Sequence, residues 1–82
     1  MEKQDIIIKI REILVSILEH ENFEMVDELE AKNVDGWDSL SHMLIITEIE
    51  KKFAIQFKLK ELNKLNNLGS LLKLIKSKIV NK

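Results

Sequence analysis

Apolar residues at positions 6, 7, 10, 13, 14, 17 and 18 recur at steps of three and four. That period predicts an amphipathic helix over residues 2–19. Glu2 and Asp5 fall in its first turn, where negative charge suits the helix dipole. The period then stops. Residues 20–37 carry Phe23, Met25, Val26, Leu29 and Val34 at irregular intervals with acids between them. This pattern predicts a long loop held to the core by those apolar anchors, with one helical turn around Val26–Ala31. A loop of that length in a compact domain is uncommon and usually functional.

Periodicity returns at residue 39. His42, Ile45, Ile46, Ile49 and Phe53 follow a core stripe, and the spacing predicts a second helix over 39–53. A second apolar set, Leu40, Met43, Leu44 and Thr47, lies on an adjacent face. Three neighbouring helices cannot easily bury both faces, so this set is expected to form a surface patch. Residues 54–58 alternate apolar and polar as a short extended connector. Residues 59–65 predict a brief third helix carrying Leu59, Leu62 and Leu65. Asn67 is placed to cap a final helix over 68–80, with Leu68, Leu71, Leu72, Ile75 and Ile79 on one face. The expected architecture is all-α: a four-helix bundle with a short third helix and a long loop between helices one and two. Residues 1–82 are expected to form a single domain.

Composition sharpens this picture. Proline is absent and glycine occurs twice, which favours helices. There is no cysteine, so disulfides and thiolate metal sites are excluded. No apolar run is long enough for a bilayer span and no signal-peptide pattern is present, so no membrane insertion is expected, and a cytoplasmic location is. The net charge of −1 hides an asymmetry: residues 1–38 hold 11 acids and 4 bases, and residues 39–82 hold 3 acids and 9 bases. The lysines are scattered and no basic run is interleaved with aromatics, which argues against nucleic acid as a partner.

Catalytic constellations are weak. Ser39 and His42 share a side of the second helix, but His42 falls on the core stripe and no strand–turn–helix elbow precedes Ser39. Two isolated histidines give no metal-ligand spacing, and no glycine-rich loop cradles a phosphate. What stands out is Gly36-Trp37-Asp38-Ser39-Leu40, where loop becomes helix. Asp38 and Ser39 are good N-cap types. An exposed serine there would favour an attached phosphate, because unpaired N–H groups and the dipole stabilise its charge.

Asp38-Ser39-Leu40 at the start of the second helix resembles the attachment motif of acyl carrier proteins. The likeness runs from about residue 6 to residue 80. It includes the long loop, Glu48-x-Glu50-Lys51-Lys52-Phe53 at the end of the second helix, and the leucine-rich last helix. The resemblance implies that a separate phosphopantetheinyl transferase transfers 4'-phosphopantetheine from coenzyme A to Ser39. It implies that acyl- or aminoacyl-loading and acyl-transferring enzymes then use the arm, with the cargo held as a thioester. Asp38 would cap the helix and orient the transferase. Leu40, Met43, Leu44, Thr47 and Glu50 would form the partner-docking face, and the core stripe would enclose space for an acyl chain. The carrier is expected to be a monomer and not an enzyme. The chain departs from fatty-acid-synthesis carriers, whose second and third helices are acidic. Ser41, Leu44 and Lys51 occupy the second helix here, and Lys58, Lys60 and Lys64 surround the third. Gly-Trp-Asp-Ser-Leu-Ser-His resembles specialised carriers found with polysaccharide, polyketide or peptide-assembly enzymes. The alternative from another class is an unmodified helical module that binds a partner through the same patch.

Overall fold

A computed structural model describes residues 2–80. Four helices follow in order: α1 (Lys3–Leu18), α2 (Ser39–Phe53), α3 (Leu59–Leu62) and α4 (Leu68–Val80), with a 3-10 turn at Ala31–Asn33. No strand occurs among the described residues. The core is aliphatic. Ile6, Ile10 and Leu14 of α1 meet Ile45 and Ile49 of α2 and Ile75 of α4, all nearly inaccessible to solvent. Ile13, Ile46, Phe53, Leu68, Leu71 and Leu72 complete it, and Ile55 of the connector joins them. The 3.6-residue period of α1, α2 and α4 therefore finds its partners as the spacing predicts.

Helix ends are set locally. Glu19 and Ala54 take left-handed backbone conformations (φ 61° and 55°) and donate their N–H groups to Val15 O and Glu50 O. Asn67 Oδ1 accepts from the Ser70 N–H at 2.9 Å, which is the cap expected for α4.

The long loop also supplies α4 with acceptors. Leu68 N–H donates to Leu29 O at 2.8 Å, and Gly69 N–H donates to Asp27 O at 3.0 Å. Three otherwise orphaned donors at the start of α4 are thus satisfied, two by the loop and one by Asn67. This changes the loop's expected structure. The helical turn expected around Val26–Ala31 is not formed, because the Asp27 and Leu29 carbonyls are drawn to α4. The chain makes a tight turn, Leu29 N–H to Val26 O, and then the 3-10 turn. Val34 is a buried anchor, and Phe23, Met25 and Leu29 are half-buried. Val26, expected as an anchor, is exposed.

The third helix is shorter than the predicted 59–65. It closes as α-helix at Leu62, and 3-10-type bonds from Lys64 and Leu65 continue the chain to α4. Leu62 and Leu65 pack against the core, but Leu59 is 75% exposed. Four residues make one turn, and one turn cannot place every leucine inward.

Candidate functional site

The start of α2 is assembled from Val34 onward. Gly36 adopts φ +82°, which only glycine reaches without strain, and so turns the chain into the helix. Trp37 N–H closes this bend on Val34 O at 3.2 Å. Asp38 is extended and acts as the N-cap, its Oδ1 accepting the Ser41 N–H at 2.9 Å. That N–H bond is the main reason its carboxyl titrates below the usual carboxylate range. Ser41 Oγ donates to Gly36 O at 2.6 Å and ties the helix back to the bend. Asp38 and Ser41 are thereby committed to shaping the turn. Ser39, the first residue of α2, is exposed.

Leu40 (73%), Met43 (54%) and Leu44 (51%) are also exposed, as the patch reading expects. Thr47 is exposed on the same face, its hydroxyl donating to Met43 O. Leu44 borders an open groove of about 510 Å³ between α1 and α2, floored by Ile13 and Ile17. Glu50 differs from the other expected docking residues. It is half-buried, and its Oε2 accepts the Phe57 N–H at 2.9 Å. That carboxylate fastens the 54–58 connector to the far end of α2, because an extended segment leaves its N–H groups in need of acceptors.

His42 is half-buried on the core side, as its place on the stripe predicts. Its Nδ1 accepts from Trp37 Nε1 at 3.2 Å. An accepting Nδ1 leaves the proton of a neutral imidazole on Nε2. Burial pushes its pKa down, which favours that neutral form. With both nitrogens so assigned, His42 has no lone pair to offer Ser39 as a base. The Trp37–His42 pair was not anticipated from sequence. Its signal is a tryptophan just before a helix cap with a histidine one turn inside. Beneath the pair lies a cleft of about 60 Å³, shared with Leu65, Leu68 and Leu71. It has room for about two water molecules. Ile45 and Ile49 of the core stripe are at 0% exposure, packed among the protein's own side chains.

His20 was remote in sequence, yet it joins the loop's two ends. Its Nε2 lies 2.7 Å from Asp35 O, and its Nδ1 accepts the Asn22 N–H at 3.0 Å. The loop thus delivers Gly36 from a fixed point.

Residues 9–75 match the protein family described as "Phosphopantetheine attachment site". The chain belongs to this carrier family. The fold also matches the solution NMR structure of a holo acyl carrier protein from Geobacter metallireducens. Sequence identity is 33%, with 92% of this chain and 86% of that chain covered and a TM-score of 0.84. No curated protein matches the sequence. As a member of the family the chain is a carrier rather than an enzyme, bears 4'-phosphopantetheine covalently, and works with a transferase and with partner enzymes. The unmodified-module alternative is set aside on that ground. Among the described residues, no helix is long and apolar enough to cross a membrane.

Proposed function

We propose that Ser39 is the residue that carries the arm. The observation supporting this is its place: exposed, first in α2, between a capping Asp38 and an exposed Leu40. Asp38 and Ser41 fix the turn, so the Ser39 hydroxyl is presented without reorganisation by the transferase. Its oxygen attacks the coenzyme A phosphorus nearest pantetheine. The P–O bond to the nucleotide half breaks, and the serine proton passes to the transferase. The new phosphodiester then lies at the positive end of α2. The arm supplies a thiol that holds an acyl or aminoacyl group as a thioester.

Leu40, Met43, Leu44 and Thr47 form the docking face, since an enzyme gripping the arm covers the turn of helix beside it. Glu50 belongs to the scaffold instead. Residues 1–82 act as a single monomeric carrier domain in the cytoplasm, serving a specialised biosynthetic pathway rather than bulk fatty-acid synthesis. The support for that last point is the lysine-rich third-helix region. Intact-mass measurement after incubation with coenzyme A and a broad-specificity transferase tests the assignment. Wild type gains one phosphopantetheine and Ser39→Ala gains none; equal modification of the two proteins rules Ser39 out.

A further inference from the structure

Gly69, Leu72, Lys73 and Lys76 recur at steps of three and four, so they share one face of α4. Leu68 and Leu71 face the Trp37–His42 cleft instead. With Lys3 and Ile6 of α1 and Asp27 of the long loop, the Gly69 stripe lines an open pocket of about 210 Å³. The floor is apolar, because Ile6 and Leu72 are buried core residues. The rim is cationic, because Lys3, Lys73 and Lys76 are all exposed.

That charge is poorly balanced. Asp27 is the single carboxylate lining the pocket among the described residues. Its Oδ1 lies 3.8 Å from Lys3 Nζ, with both side chains exposed, and such a pair binds weakly. Lys73 and Lys76 form no ion pair with a carboxylate among the described residues. Lys3 and Gly69 are the first and second residues of α1 and α4, so the positive ends of both helix dipoles adjoin the pocket. The Gly69 N–H is already given to Asp27 O, which leaves the lysines as the donors for a ligand.

Size and floor narrow the ligand further. An apolar cavity of about 150 Å³ holds a benzene ring. The pocket therefore has room for one ring or one branched aliphatic group. A bare inorganic ion would leave the floor wet, and a neutral molecule would leave the lysines without a counter-charge. We propose that this pocket binds a small organic anion, a carboxylate or phosphate joined to one compact apolar group. The head sits among Lys3, Lys73 and Lys76, and the apolar group covers Ile6 and Leu72. This site goes beyond the carrier reading and does not depend on Ser39 bearing the arm. It shares no residue with Leu40, Met43 and Leu44, so a bound anion and an enzyme on α2 are compatible.

The test titrates the full chain with benzoate and with phenyl phosphate at low salt, following backbone amide shifts by NMR. Saturable shifts are expected at Gly69, Lys73 and Lys76, with a dissociation constant of about 1 mM for a ligand as small as benzoate. Phenyl phosphate should bind more tightly, its charge being larger, and added salt should weaken both. Lys73→Gln with Lys76→Gln should weaken benzoate about tenfold. Both positions are exposed, so the variant should fold, and Lys73→Gln alone serves if it does not. Benzyl alcohol, a similar ring without charge, should shift the same amides far more weakly. Inorganic phosphate that binds as tightly as phenyl phosphate overturns the proposal, since the floor then plays no part. Benzoate affinity unchanged by the lysine substitutions, or shifts centred on Ser39 and Leu40, also overturns it. So does binding to phosphatidylglycerol vesicles when benzoate and phenyl phosphate shift nothing, because the face would then meet a membrane.

Discussion

Trp37 and His42 are joined by a 3.2 Å hydrogen bond from Nε1 to Nδ1, with their rings 6.3 Å apart and 26° from parallel. The two residues bracket Asp38 and Ser39, so the bond ties the end of the loop to the first turn of α2. It exists only while His42 Nδ1 keeps its lone pair.

This makes the Ser39 end sensitive to acid. Burial lowers the His42 pKa in the folded state, so the unfolded chain takes up a proton first as pH falls. The stability this group contributes is complete above its unfolded value of about 6.5 and declines below it. The protonated ring would also turn an N–H toward Trp37 Nε1. Melting temperature and the emission of Trp37, the single tryptophan, should both change between about pH 7 and 5. His42→Phe should remove most of that change. An identical pH profile in the variant would show that another group controls it.

Gly69 should resist replacement although it lies in a helix. A Cβ there would sit 3.0 Å from Asp27 Cβ and 3.2 Å from Asp27 O. Alanine ordinarily gains about 1 kcal/mol over glycine within a helix. Here that gain is opposed by overpacking, about 1–3 kcal/mol, and by weakening of the Gly69 N–H to Asp27 O bond. Gly69→Ala should therefore destabilise the fold by about 1 kcal/mol and speed exchange of the Leu68 and Gly69 amides. A stabilised variant would mean that the loop yields freely and that its grip on α4 is slight.

Leu44 and Ile45 are adjacent yet should behave oppositely. They point about 100° apart around α2, one 51% exposed and the other inaccessible. Ile45→Glu would bury an unpaired charge and should unfold the chain. Leu44→Glu should cost about 0.5–1 kcal/mol, including repulsion from Glu48 one turn on. It should fold normally and load slowly with the cognate enzyme, because an apolar anchor is lost. Unfolding would place Leu44 in the core; normal loading would move the docking face elsewhere.

The three long helices, their inward stripes and the Asp38 cap were legible in the chain. Each depends on residues within one or two turns of one another. Ile45, Ile46, Ile49 and Phe53 had to lie together on any helix spanning them, and Asp38 meets Ser41 only three residues away. The proposed attachment motif, Asp38-Ser39-Leu40, could be read for the same reason, being contiguous.

Residues whose partners are distant in sequence were decided by the tertiary structure. The turn expected at Val26–Ala31 gave way because Asp27 and Leu29 spend their carbonyls on Leu68 and Gly69, some forty residues on. Glu50 looked like a surface acid until the connector folded back and brought it the Phe57 N–H. Leu59 looked like core, but Glu61 and Lys78 set the rotation of a single turn and left it outside. Periodicity reports which side chains share a face. Which face is covered, and which carbonyl meets which donor, is settled only when the elements pack, because a buried polar group takes the nearest partner the fold provides.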